Sequence, residues 1–308
     1  MIENGKLINP EARIEVTNAC NAHCVICPRE KMKRPKVRMT NRRFKACVDQ
    51  VKSMGAETIS PFGYGEPLLD KGIFNKIEYC TELGLDTFIT TNAQLLGVDE
   101  SHNLLKAGLS QIRFSVHGLN NKDYQSVHRG LDYDIVIRNI SNFIAINTIK
   151  YGKACQVDVT VIPMHNEPLS IIRNRWEHYA DLLEVWKPHN WSGGRDYRSF
   201  TQVRKKTCGR PFRGPVQINS DGTVMVCCFD YNAEMTVGNI FTTHLVDILT
   251  GDKMNAIRQA HRTGEHFGLP CNTCDQLNVT DENPLLYSSA DPKRQTGRTA
   301  GTKFKLEE

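Results

Sequence analysis

Eleven cysteines among 308 residues carry the chemistry this sequence advertises most plainly. Cys20, Cys24 and Cys27 stand at spacings of four and three, close enough on one loop to wrap a single small inorganic group. Zinc in a structural site wants a fourth ligand, whereas an iron–sulfur cube held by three thiolates keeps one iron open. The spacing leaves both readings, and chance, open. A second set lies far along the chain: Cys208, then Cys227 at the end of a Gly222-to-Cys227 run, then the tight pair Cys271 and Cys274. Four thiolates make a closed site for zinc or for a cluster. Cys228 sits beside Cys227, and neighbours on a strand face opposite ways. It is therefore a spare thiol, either a small buried hydrophobe or a hydrogen-atom donor. Cys47 and Cys80 fall on apolar helical stripes and Cys155 just before a strand, where core packing is expected.

Composition narrows the classes. With 40% hydrophobic and 24% charged residues, disorder and collagen-like structure are excluded. No run of about 18 apolar residues spans a membrane. Residues 1–16 lack the apolar core and cleavage site of a signal peptide. A cytoplasmic location is expected, and there thiols stay reduced and point to metal rather than disulfides. The net charge of +5 is unevenly spread: residues 29–43 and 195–213 together carry +13, so the rest carries −8. Such runs are solvated loops or an anion-attracting mouth.

The elements that must position these cysteines alternate. Strands are expected over Ile14–Asn18, Glu57–Tyr64, Asp86–Asn92, Ser110–His117, Gln156–Pro163 and Glu184–Lys187. Helices are expected over Thr40–Gly55, Gly72–Gly84, Val98–Gly108, Tyr133–Tyr151 and Leu169–Leu183. Such alternation means βαβ units on a parallel sheet. Six units predict an α/β fold, a partial (β/α)6 TIM-type barrel, with chemistry at the C-terminal strand ends. Beyond residue 192 the pattern changes. Val216–Ser220 and Thr223–Cys228 flank Asp221-Gly222, a hairpin signal, and a helix is expected over His244–Thr263. The expected division is a barrel over 1–192, a small β-hairpin/α auxiliary-cluster domain over 193–280 and a tail over 281–308 that wraps the domain or is loosely held.

Placed on these strand ends, the motifs resemble those of the radical SAM superfamily, across roughly residues 12–190. The CxxxCxxC loop follows strand one. Gly63, Tyr64, Gly65, Glu66 and Pro67 end strand two and resemble the motif that meets the methionine amino group. Thr90, Thr91 and Asn92 resemble a ribose-facing segment. Ser115 to Gly118 resemble the segment that contacts ribose and carboxylate, and Val161 to Pro163 the backbone beside adenine. Ile26 stands where that family usually has an aromatic residue against adenine, Tyr64 replaces a glycine and His117 an acid. Residues 208–275 resemble the SPASM/twitch extension, the shorter one-cluster form fitting four cysteines better. The resemblance implies two [4Fe–4S] clusters and S-adenosylmethionine (SAM), reductive cleavage of SAM to a 5′-deoxyadenosyl radical, hydrogen abstraction from substrate, and a flavodoxin- or ferredoxin-type electron donor.

The substrate side is thinner. His165, Asn166, His189, Trp191, Arg195 and Tyr197 are candidates for a polar pocket with an aromatic wall. A general base is expected among His117, His165 and His189, and Cys228 is the candidate hydrogen donor. Three functions are expected to compete. One is oxidation or epimerisation of a small polar molecule such as a sugar or aminocyclitol, possibly anionic. Another is modification of a ribosomal peptide, disfavoured because no leader-binding domain precedes strand one. The third is a cysteine-rich nucleic-acid-binding protein, disfavoured because a binder needs no SAM contacts.

Overall fold

Parallel strands cannot be joined by a tight turn, so each crossover here runs through at least one helix. The computed structural model describes residues 1–290. A short hairpin, β1 (Ile2–Glu3) and β2 (Lys6–Leu7), leads into β3 (Glu11–Ile14). Then follow α1 (Asn41–Ser53), β4 (Thr58–Ser60), α2 (Ile73–Glu82), β5 (Asp86–Thr91), α3 (Val98–Lys106) and β6 (Gln111–Ser115). After these come α4 (Asn121–Val127), α5 (Tyr133–Tyr151), β7 (Gln156–Val161), α6 (Leu169–Trp176) and β8 (Leu182–Trp186). Strands β3 to β8 pair in chain order, all parallel. β3 and β8 do not meet, so the α/β architecture is the expected partial (β/α)6 barrel, not a closed one. The helices bury the predicted stripes: Phe44, Cys47, Val48 and Val51 on α1, and Ile73, Ile77 and Cys80 on α2. Cys155 is buried too, so all three of these cysteines are core residues.

The sheet continues past the barrel. After α7 (Arg210–Arg213), β9 (Val216–Ile218) lies parallel to the free side of β3. β10 (Thr223–Met225) returns antiparallel through Asp221-Gly222, where Gly222 has φ +87°. A side chain there would be strained at that φ and would meet the Phe241 ring. β11 (Thr236–Asn239) pairs with β10, and α8 (Leu245–Thr250) and α9 (Asp252–Thr263) follow. β12 (Leu285–Ser288) pairs with β8 at the opposite edge, making a ten-stranded sheet. It comes from the segment expected as a tail, whose residues 291–308 lie outside the described ones. Among the described residues no helix is long and apolar enough to cross a membrane.

Several boundaries differ from expectation. The first strand is Glu11–Ile14, not Ile14–Asn18, because Arg13 Nε bonds Glu11 Oε1 at 2.8 Å and hides two charges within a strand. The helix expected to reach Leu183 stops at Trp176, and β8 takes Leu182 and Leu183. The helix expected over His244–Thr263 breaks at Gly251, whose extended backbone ends α8 and caps α9. α4 was not expected; Asn120 caps it by accepting from Asp123 N.

Candidate functional site

The chain leaves β3 and makes the cysteine loop at the strand's C-terminal end. Cys20, Cys24 and Cys27 line one small cavity together with Arg29 and Tyr64. Burial pushes all three thiols up, Cys24 to about 12, with Cys27 and Cys20 adding to the effect there. The thiols are therefore held neutral, and all three would ionise only with a cationic group among them. The loop is clamped from a distance. Trp191 Nε1 donates to the Ile26 carbonyl at 2.7 Å. Arg195 Nε donates to Val25 O at 2.7 Å and its Nη2 to Cys27 O, and the Tyr197 hydroxyl also reaches Val25 O at 3.0 Å. Arg195 and Tyr197, expected against substrate, thus hold the cysteine loop. His189 stacks on Phe229 with ring centroids 4.0 Å apart, and the ring of Trp191 lies 4.2 Å from its own.

The neighbouring strand ends lock onto this loop. A Cβ on Gly65 would stand 2.3 Å from Thr17 O and 2.5 Å from Ala19 O, and one on Gly63 would strike the Glu15 side chain, so close approach requires both glycines. Glu66 is 2% exposed. Its carboxylate accepts from Thr91 Oγ1 (2.7 Å), Asn92 N (2.9 Å) and Leu68 N (3.1 Å), and burial raises it to about 7. Asn92 Nδ2 in turn donates to Asn21 Oδ1, 2.9 Å away in the cysteine loop. Ser115 and Val161 end β6 and β7, with Val161 buried.

Two histidines behind the loop have assigned tautomers. His117 N donates to His128 Nε2 at 3.1 Å, so the neutral His128 proton sits on Nδ1, 3.3 Å from Cys24 Sγ. Ile162 N donates to His117 Nδ1 at 3.1 Å, which leaves the His117 proton on Nε2. Burial lowers His117 to about 4. Near neutral pH it is a hydrogen-bond donor rather than a ready base. His165 is exposed, with Nε2 2.7 Å from Ser126 Oγ.

The second cysteine set surrounds a different cavity. Cys208, Cys227, Cys271 and Cys274 line it, with Arg210, Met235 and His261. Cys228 instead lines a cavity of about 210 Å³ shared with Cys27, Tyr64, Trp191, Gln217 and Asn219. The strand-alternation argument does not apply, since β10 ends at Met225; the two thiols stay close enough to act on each other, yet they line different cavities. Tetrahedral zinc, with Zn–S near 2.3 Å, would draw its sulfurs to about 3.8 Å apart. Among the described residues no three His, Cys, Asp or Glu side chains stand so as to hold a single ion. A cube binds its thiolates at separate irons, and the donor chemistry of the two thiol-lined cavities fits such a group. Sequence reasoning missed Glu15, which is 3% exposed. It accepts from both Arg34 Nη atoms at 2.9 Å, from Tyr64 N, and from Ser220 N and Oγ. An acid inside the apolar run Ile14-Glu15-Val16 was its signal. His128, Arg210 and Asn219 carried none.

Open parallel strands ending on a three-cysteine loop, beside a hairpin-borne four-cysteine cavity, define an enzyme class built around iron–sulfur chemistry. Residues 14–167 match the family model of the radical SAM superfamily, and residues 208–275 that of the SPASM iron–sulfur cluster-binding domain. The chain belongs to the radical SAM superfamily and carries a SPASM domain, and these two domains call for SAM and two [4Fe–4S] clusters.

An uncharacterised protein of Methanocaldococcus jannaschii is 31% identical over 59% of this chain and 59% of its own length. A GTP 3′,8-cyclase of Desulforamulus reducens is 33% identical over 46% and 44%. The chain thus spans about half the length of these two relatives. The SAM-dependent 2-deoxy-scyllo-inosamine dehydrogenase of Niallia circulans is 23% identical over 89% of this chain and 96% of its own. In fold, the chain is similar to BtrN in complex with AdoMet and 2-DOIA, with TM-score 0.62, 21% identity and coverage of 89% and 95%. It is also similar to Streptococcus suis SuiB bound to precursor peptide SuiA, with TM-score 0.67, 17% identity and coverage of 87% and 70%.

Proposed function

We propose that this chain is a radical SAM dehydrogenase of a small, hydroxyl-bearing molecule without negative charge. The observation that carries the reading is the cavity shared by Cys27 of the first set and Cys228, the chain neighbour of Cys227 in the second. In this reading Cys20, Cys24 and Cys27 hold the first cluster, and Cys208, Cys227, Cys271 and Cys274 hold the second. Ile26, Gly63, Tyr64, Gly65, Asn92, Ser115 and Val161 surround SAM, and Glu66 braces that surface. Oxidising a CH–OH carbon to a carbonyl removes a hydrogen atom, a proton and an electron; the bound cofactors supply the radical that takes the first and the acceptor for the last, while the proton passes to water. The chain's own residues orient the substrate. Tyr64 and Trp191 form an aromatic wall with ring centroids 5.7 Å apart. Asn219, 1% exposed, has a buried Nδ2 without an acceptor, which suits a substrate oxygen. Arg13 is paired with Glu11, and Glu15 with Arg34, so the wall is close to neutral and, among the described residues, offers no free cation for the anionic substrate expected from the basic runs.

The dehydrogenase from Niallia circulans, aligned along almost its whole length, supports this chemistry. Residues 1–192 would handle SAM and residues 193–280 the second cluster. A reducing cytoplasm suits the free thiols, and a flavodoxin or ferredoxin would supply the electron that starts each turnover. The test is anaerobic incubation with SAM, a reductant and a panel of aminocyclitols and sugars. A product lighter by two hydrogens, with 5′-deoxyadenosine in step, is expected. A product of unchanged mass carrying solvent deuterium would make the enzyme an epimerase. Turnover only with peptides would replace the substrate class. No SAM cleavage, with salt-dependent nucleic-acid binding, would replace the enzyme reading altogether.

A further inference from the structure

Two side chains in the four-cysteine cavity are left with buried N–H groups and nothing to give them to. Arg210, at the start of α7, and His261, in the last turn of α9, both line that cavity. Arg210 Nη1 and His261 Nε2 are buried and have no hydrogen-bond partner. No carboxylate stands within salt-bridge distance of Arg210 among the described residues; of the other arginines in the run, Arg198 has one, and Arg204 uses one nitrogen on backbone while its Nε and Nη1 are buried without partners. Arg198 pairs with Asp275 at 3.3 Å, and Arg204 Nη2 donates to Cys271 O and Cys274 O. A buried guanidinium without an anion is strongly disfavoured. The anionic groups that act on it most are the thiols of Cys228, Cys227 and Cys208, with Glu11 after them, and Cys227 and Cys208 belong to the cavity Arg210 lines. His261 is 1% exposed. Its Nδ1 lies 3.0 Å from Thr207 Oγ1. Thr207 Oγ1 already accepts from Gly209 N, and its hydroxyl has no other acceptor among the described residues. That hydroxyl therefore donates to Nδ1, which places the His261 proton on Nε2.

We infer that Arg210 and His261 donate N–H hydrogen bonds to the sulfurs of the second cluster and hold its reduction potential up. The inference rests on the assignment of that cluster to Cys208, Cys227, Cys271 and Cys274. Adding an electron makes an already anionic cluster more negative, and a fixed cation and N–H dipoles beside its sulfurs stabilise the reduced form. The first cysteine set has a different donor: its histidine contact is the neutral Nδ1–H of His128 at Cys24. Arg210 and His261 are thus tuning residues. They touch neither substrate nor SAM, and they make the second cluster the better electron acceptor of the two.

The experiment is an EPR-monitored redox titration of the anaerobically reconstituted full chain, without substrate, on wild type, Arg210→Lys, Arg210→Gln and His261→Phe. Iron is counted on each protein. The expected result is a lower midpoint potential of the second cluster in Arg210→Gln, a smaller drop in Arg210→Lys, and a drop in His261→Phe. The first cluster should not shift. A loaded Arg210→Gln or His261→Phe protein with the wild-type potential overturns the role of that residue. Loss of the second cluster in Arg210→Gln that Arg210→Lys does not rescue also overturns it, leaving Arg210 a structural side chain. Wild type with only about four irons per chain, where two cubes require about eight, would sink the ligand assignment and the inference with it. Substrate turnover is not measured, so failure here is separable from failure of the dehydrogenase reading.

Discussion

The two cysteine regions solve opposite problems. The first gathers three thiols from eight consecutive residues, and the fold need only hold one loop at one strand end. Trp191, Arg195 and Tyr197 do this by taking the carbonyls of Val25, Ile26 and Cys27. The second gathers four thiols from three separate segments: before α7, after β10, and in the short turn Pro270–Thr273 with Cys274 following it. Arg204 takes two carbonyls there. In both regions an arginine from the basic run 195–213 faces inward to fix backbone next to a cysteine. That run is a set of clamps as much as a surface, which is why its charge is a poor guide to the substrate. On the proposed ligand sets, the difference teaches that three thiols would leave a site incomplete and reactive, whereas four thiols beside a buried cation would make a closed site suited to passing electrons.

The sharpest way to break this comparison is to delete each set in turn. Replacing Cys20, Cys24 and Cys27 together by Ala should abolish 5′-deoxyadenosine formation and leave about four irons per chain. Replacing Cys271 and Cys274 should leave a similar iron count yet preserve SAM cleavage. If both variants lose SAM cleavage, the regions are not separable in function. The next effect belongs to the first region alone. Glu66 has a folded pKa of about 7 because burial opposes its charge. The folded state therefore holds its proton more tightly than the unfolded chain. This contribution is full below about pH 4.5 and is lost as pH rises through 7. Wild type should lose about 3 kcal/mol, relative to Glu66→Gln, between pH 4.5 and 8 in anaerobic urea melts. A flat difference across that range would refute the assignment. Smaller still, Arg195→Ala removes two bonds to the cysteine loop and should cost about 1–3 kcal/mol. It should slow iron uptake at the first site only, as followed by absorbance during reconstitution. Equal slowing at both sites would remove the idea of separate clamps.

How much of this was legible follows from the range of the forces involved. The order of six parallel strands was readable because each apolar period is local. So was the three-cysteine loop, whose ligands are near neighbours in sequence. The first strand was misplaced because Glu11 and Arg13 cancel each other's charge, a pairing that a hydropathy pattern cannot contain. The break at Gly251 was hidden because α8 and α9 carry one continuous apolar pattern across it. Arg195 and Tyr197 read as pocket residues because their type fits a pocket; only tertiary contacts across more than 160 residues make them clamps, and Trp191, which does line the cavity, clamps the loop as well. Glu15 and His128 depend on partners from distant strands and helices, and Asn219 on a cavity that distant segments enclose, so local sequence context left two of them silent.

The smallest expected effect falls on the residue that stands between the two regions. Cys228 shares a cavity with Cys27, while its neighbour Cys227 lines the other one. A thiol facing a substrate radical has two fates. In an epimerase it must give up its hydrogen atom to the opposite face of the radical carbon, and without it the product cannot form. In a dehydrogenase the radical loses an electron, so the thiol is a wall residue. The dehydrogenase reading therefore expects Cys228→Ala to keep both clusters, to keep SAM cleavage within about twofold, about 0.4 kcal/mol in the barrier, and to yield the same product two hydrogens lighter. The measurement is product mass in deuterated buffer with the true substrate. An unchanged-mass product that carries solvent deuterium in wild type and vanishes in the variant would transfer the role of Cys228 from packing to catalysis. It would also make the second cluster's acceptor role unnecessary for turnover, and the contrast between an initiating and an accepting cluster would no longer describe this enzyme's reaction.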